Sequence, residues 1–341
     1  MMKHSELEAT ARAMTTKGKG ILAADESGGT IKKRFDTIKL ESTEESRRTY
    51  REMLLTAPGS ADYLSGVIFY DETLRQKTKA GVPFVEYLSR LGIVPGIKVD
   101  AGSKALANAP GEQVTEGLDG LRDRLAEYYR IGARFAKWRA VIDIADGIPS
   151  RYGIHVNAHA LARYATLCQE ASIVPIVEPE VLMDGGHTLE RCEEVTDRVL
   201  AEVFAQLNLH GVYLEGMVLK PNMVISGLKC PQRARAEQVA EATVRCLKRH
   251  VPAAVAGIAF LSGGQSAEEA TEHLNLINAI GNLPWPVTFS YGRALQAPAL
   301  AAWKGLDAQY GAGQKAFAKR AKLNGLAAAG RYHASMEAQA A

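Results

Sequence analysis

The stretch IVPIVEPE, residues 173–180, reads as a strand buried on both faces that runs straight into two carboxylates. Residues 173–177 are wholly apolar, the pattern of a central strand covered on both sides. Glu178 and Glu180 follow, and residues two apart in a strand share a face. A buried strand carries charge only where its end opens onto something that needs it.

Seven further runs of the same kind flank this one: Gly20–Ala24 and residues 66–70, 93–99, 133–141, 217–219, 256–261 and 287–290. Most are separated by stretches of helical periodicity, at residues 117–131, 154–171, 233–250 and at Leu189–Leu209 and Ala267–Ile280. Ser266 followed by Glu269 is a capping box, which sets a helix start just after the seventh run. Residues 294–329 are Ala-rich and helical in pattern. Eight strands alternating with helices predict a parallel sheet. Eight such units in roughly 300 residues predict a (β/α)8 TIM barrel. No Gly/Ser/Pro tract divides the chain, so residues 1–341 are expected to form a single domain, with a mobile tail from about residue 330.

A chain of 341 residues that is 47% hydrophobic can bury a large core. Its net charge of +3, from 41 basic and 38 acidic residues, is too small to argue for nucleic acid or an anionic membrane as partner. The four cysteines, Cys168, Cys192, Cys230 and Cys246, form no CxxC pair and have no histidines at zinc spacing. They read as reduced thiols of a cytoplasmic protein. The opening MMKHSELEATARAM reads as an amphipathic helix, and no apolar run reaches the roughly 18 residues of a membrane span.

Charge falls late in six of the eight runs. The first ends in Asp25 and Glu26, the third in Lys98 and Asp100, and the fourth carries Lys137 and Arg139. The fifth ends in Glu178 and Glu180, the sixth in Lys220, and the eighth leads to Arg293. In a barrel these ends meet at one mouth, where active sites form. Lysine bonds to a carbonyl only as the neutral amine, which apolar surroundings and a nearby cation favour. Lys220, in GMVLKPNMV, has apolar neighbours on both sides and Lys137 as a candidate second cation. Asp25 and Glu178 are candidate proton carriers. Two glycine-bearing loops follow the last two strands, LSGGQS and then Ser290-Tyr291-Gly292-Arg293, and suit a phosphate. Lys32, Lys33 and Arg34 read equally as a site for a distant second phosphate and as a solvated helix face.

The blocks ILAADES (21–27), GIKVD (96–100), AKWR (136–139), IVPIVEPE (173–180), LKPNMV (219–224), LSGGQS (261–266) and FSYGRALQ (289–296) together resemble the signature segments of class I fructose-bisphosphate aldolases. The resemblance runs in order from about residue 6 to 332. It implies a (β/α)8 barrel and a carbon-carbon lyase of glycolysis and gluconeogenesis. It also implies a phosphorylated sugar substrate, a homotetramer, and neither metal nor organic cofactor. By the same resemblance, Lys220 matches the Schiff-base lysine, Glu178 the acid/base for imine formation and Glu180 its partner. Asp25 matches the base for the C4 hydroxyl, and Lys137 the cation beside the reacting oxygens. Lys98 and Arg139 match neighbouring charges. Ser262, Gly263, Gly264, Ser290, Gly292 and Arg293 match the C1-phosphate site. Ser27, Thr30 and Arg34 match the region used by the C6 phosphate. Two departures stand out. Family members carry TGS where this chain has Gly28-Gly29-Thr30. Many end in a longer tail with a terminal tyrosine, whereas the last tyrosine here is Tyr332.

Other readings predict different residues. Two phosphate sites argue against a keto-acid aldolase, and the lack of clustered histidines argues against a zinc-dependent one. A protein that merely binds anionic partners needs no acid beside each lysine.

Overall fold

A computed structural model describes residues 4–339 of the chain. All eight expected runs are strands, numbered here in chain order. They are β1 (Gly20–Ala24), β2 (Leu64–Phe69), β3 (Val94–Lys98), β4 (Phe135–Ile142), β5 (Val174–Val181), β6 (Val218–Leu219), β7 (Ile258–Phe260) and β8 (Val287–Tyr291). Each pairs in parallel with its sequence neighbours, and β1 closes onto β8. The predicted TIM barrel is therefore the observed fold.

The helices Leu189–Leu209 and Ala267–Ile280 have the predicted bounds, and the Ser266–Glu269 capping box forms in both directions. The expected helix 294–329 is two helices, Arg293–Trp303 and Tyr310–Ala328. Lys304 and Gly305, both at positive φ, turn the chain between them. The described structure adds short helices at Gly28–Asp36, Glu44–Leu55, Asp71–Arg75 and Phe84–Arg90, and an antiparallel pair, Ser103–Ala105 with Gln113–Thr115. Their segments are short or polar and lack a long apolar period.

The barrel interior is filled by Ile21, Ala23, Ile68, Phe135, Val174, Ile176, Val218 and Ala259. The N-terminal amphipathic helix is His4–Met14, whose buried face, Leu7, Ala11 and Met14, packs into this same cluster. Phe135 fills the barrel across β2 and β3, and a Cβ on Gly96 would lie 2.2 Å from its ring. Gly96→Ala is therefore expected to lose about 1–3 kcal/mol to overpacking, read as a lower urea midpoint. Adding Phe135→Leu is expected to recover part of the loss.

In the tail expected to be mobile from about residue 330, Tyr332 is buried and Met336 packs against the core, while residues 331 and 333–335 are exposed. The Tyr332 N–H donates to Asn275, and Glu337 accepts from Arg320 at 2.6 Å. Among the described residues no helix is long and apolar enough to cross a membrane. The four cysteines are unpaired, three of them buried.

Candidate active site

The C-terminal ends of the strands open into one cavity of about 610 Å³. Its walls include Asp25, Lys98, Lys137, Arg139, Glu178, Glu180 and Lys220, with Ser27, Thr30, Arg34, Ser262, Gly263, Gly264, Ser290, Gly292 and Arg293, whereas Asp100 and Lys32 do not line it.

Lys220 follows directly on β6. Its backbone N–H donates to Val177 at 2.8 Å, so its main chain is tied to β5. Its Nζ lies 3.1 Å from Glu178 Oε1, and both side chains are nearly buried. Lys137 Nζ is 2.7 Å from Asp25 Oδ2, 3.6 Å from Glu178 Oε2 and 3.9 Å from Asp100 Oδ2. Arg139 pairs with Glu180, and Lys98 lies 2.5 Å from Asp100.

The pairing follows from the barrel's stagger. In the β4–β5 register Lys137 stands opposite Ile176 and Arg139 opposite Glu178. Each cation nevertheless meets the carboxylate two residues further along β5. Tilted strands offset inward-pointing side chains in this way. The alternation that places Lys137 and Arg139 on one face, and Glu178 and Glu180 on one face, is observed.

These charges set one another's protonation. Burial alone would raise the Asp25 carboxyl, but the Lys137 and Lys220 charges overcome it and hold the group well below the usual carboxylate range. Burial alone would lower Lys137, but Asp25, Glu178 and Asp100 push it well above the usual lysine range. At neutral pH Asp25 is an anion and Lys137 a fixed cation.

The far wall is the loop after β7 together with the turn after β8. Gly264 has φ +72°, and a Cβ there would lie 2.4 Å from that of Met183, so only glycine fits. A Cβ on Gly263 would meet Glu180 at 2.8 Å. The Ser290 hydroxyl is fully buried and lacks a protein hydrogen-bond partner. Such a group needs a ligand or water to satisfy it.

The basic residues after β1 divide. Arg34 enters the cavity, paired with Glu26, and lies 3.8 Å from where a Gly292 Cβ would be. Lys33 lines the rim, whereas Lys32 pairs with Asp36 on the exposed side. Because β1 and β8 are neighbours, Arg34 stands beside the Gly292 turn rather than at a distance from it.

Two further contributors were visible only as strand-end charges. Asp100 contacts Lys98 and Lys137. Glu26 is buried and binds Arg34, Arg51 and the Gln296 amide, so helices 28–36, 44–55 and 293–303 are tied to the end of β1.

The barrel gathers an amine, carboxylates and cations at its mouth, the composition of an enzyme active site. The family model described as fructose-bisphosphate aldolase class-I matches residues 6–341. The chain is 58% identical to "Probable fructose-bisphosphate aldolase class 1" of Xanthomonas campestris pv. campestris, over 97% of this chain and 99% of that one. It is 54% identical to cytosolic fructose-bisphosphate aldolase 4 of Arabidopsis thaliana, over 96% and 84% respectively. The fold superposes on a solved fructose-bisphosphate aldolase of Plasmodium falciparum, in complex with TRAP and a small-molecule inhibitor. The TM-score is 0.95, with 51% identity over 97% of this chain and 96% of that one. The chain belongs to the class-I fructose-bisphosphate aldolase family.

Proposed function

We propose that this enzyme cleaves fructose 1,6-bisphosphate reversibly through a Schiff base on Lys220. The observation that carries the reading is the Lys220–Glu178 contact at 3.1 Å inside the shared cavity. The free amine of Lys220 attacks the C2 ketone. Glu178, within hydrogen-bond reach, relays the protons that let the carbinolamine hydroxyl leave as water. The resulting iminium is an electron sink. Asp25 removes the C4 hydroxyl proton, the C3–C4 bond breaks, and its electrons flow into the iminium to give an enamine. Glyceraldehyde 3-phosphate departs. The enamine takes a proton at C3, and water releases dihydroxyacetone phosphate and the amine.

The other roles are assigned by resemblance to the family and are consistent with position in the cavity. Lys137, held charged, steadies Asp25 and the oxygens that gain negative charge. Glu180 and Arg139 brace the β7 loop through Gly263, and Lys98 fixes Asp100. Ser262, Gly263, Gly264, Ser290, Gly292 and Arg293 receive the C1 phosphate. Ser27 and Thr30, whose hydroxyls lie 3.2 Å apart, receive the C6 phosphate, with Arg34 reaching toward both. The whole chain acts as one domain, in the cytoplasm, as a homotetramer. Sedimentation at four times the chain mass checks the last point.

Borohydride reduction in the presence of dihydroxyacetone phosphate, followed by peptide mass mapping, tests the chemistry. The expected adduct sits on Lys220. An adduct on another lysine, or none, overturns the assignment.

A further inference from the structure

The loop after β7 presents Ser262, Gly263 and Gly264 to the cavity, and Gln265 turns the opposite way. Gln265 is 6% exposed and meets the ring of His273, from the second turn of helix Ala267–Ile280, with Nδ1 2.7 Å from its Oε1. His273 is equally buried. Behind it lies a separate cavity of about 180 Å³, bounded among others by Ser226, Arg233, Glu269 and Glu272. Burial pushes the His273 imidazole down to about 4. Glu269 pulls against that shift and Arg233 adds to it. The neutral ring carries a single N–H, and the contact to the Gln265 carbonyl oxygen places it on Nδ1.

We propose that His273 is a positioning residue for phosphate capture. Its Nδ1–H holds Gln265 and thereby fixes the backbone of residues 262–264 in the shape that receives the phosphate. The inference rests on the reading of this loop as the phosphate site. Two adjacent glycines make the loop costly to order. Glu180 and Met183 close against it on the cavity side, and His273 supports it from behind. A loop ordered before the substrate arrives spares binding that ordering cost. His273 touches no reacting atom, so its contribution is shared by ground state and transition state and enters KM rather than kcat.

The test compares His273→Ala, His273→Asn, Gln265→Ala, the His273→Ala/Gln265→Ala double variant and Arg293→Ala in steady-state cleavage of fructose 1,6-bisphosphate. Loss of one buried hydrogen bond is expected to raise KM about tenfold in His273→Ala and in Gln265→Ala. Changes in kcat are expected to stay within about threefold, and borohydride trapping on Lys220 to persist. The amide nitrogen of Asn occupies the place of Nδ1, so His273→Asn is expected to return KM to within about twofold of the parent. The double variant is expected to be no worse than either single one, because both break one contact.

If Arg293→Ala raises KM while His273→Ala and Gln265→Ala leave it unchanged, the proposal is overturned and the phosphate assignment stands. An unchanged KM in all three overturns the phosphate assignment itself. If His273→Ala fails to fold, Gln265→Ala and His273→Asn decide: a raised KM in the first with a near-parent KM in the second supports the role, and any other pattern refutes it.

Discussion

Lys220→Met is expected to cut cleavage of fructose 1,6-bisphosphate by at least about 10⁴-fold while the protein stays folded. Without the amine no iminium forms, so the electrons of the C3–C4 bond have nowhere to go. Binding and phosphate contacts remain, so substrate should still protect the variant against thermal unfolding. Methionine nearly matches lysine in length and flexibility and fills a similar space. Glu178 loses one partner but retains Lys137, 3.6 Å from its other oxygen. Far-ultraviolet circular dichroism and a coupled triose-phosphate assay are the measurements. Substantial turnover by a homogeneous variant would remove Lys220 from the mechanism.

The second large effect concerns Lys137, which faces three carboxylates at 2.7, 3.6 and 3.9 Å. Lys137→Met leaves them buried with one cation fewer. Removing one member of a buried charge network typically costs about 3–5 kcal/mol. Activity is expected to fall by about 10²–10⁴-fold, the usual worth of a positioned acid–base pair. The pH dependence identifies the cause. In the parent, Asp25 is depressed below its unfolded value, so it adds stability above the ordinary aspartate range. That stability is lost only as pH falls through the folded value. In the variant burial acts on Asp25 with less opposition, and its protonation moves upward. The acid limb of the kcat/KM profile is expected to shift toward neutral pH, and acid unfolding to begin earlier. A variant with an unmoved acid limb would separate Lys137 from Asp25.

The barrel was legible because its strands are buried on both faces. Such strands must be continuous apolar runs, and all eight stand out against polar helices. Their charged ends were legible for the same reason, since Asp25, Glu178 and Lys220 interrupt an apolar pattern at a fixed phase. What the chain order hid were contacts between distant segments. Gln296 donates to Glu26 across 270 positions, and no local pattern announces it. Gln265 and His273 lie only eight positions apart, yet neither the burial of that pair nor its aim at the back of a loop has a periodic signature. The placing of Arg34 was hidden in the same way. A basic run after β1 suggested a remote anion site, and only barrel closure, which sets β1 beside β8, shows which way the guanidinium turns.

The inner ring of the mouth interleaves four carboxylates, Asp25, Asp100, Glu178 and Glu180, with four basic side chains, Lys98, Lys137, Arg139 and Lys220. Arg34 is paired with Glu26, and the basic groups that draw a sugar bisphosphate lie further out, at Lys33 and Arg293. Dissolved ions screen over about 8–10 Å in ordinary buffers and act mainly on exposed groups. Added salt therefore weakens arrival of the anionic sugar at the rim, while the bond-breaking step proceeds among charges that the electrolyte scarcely reaches.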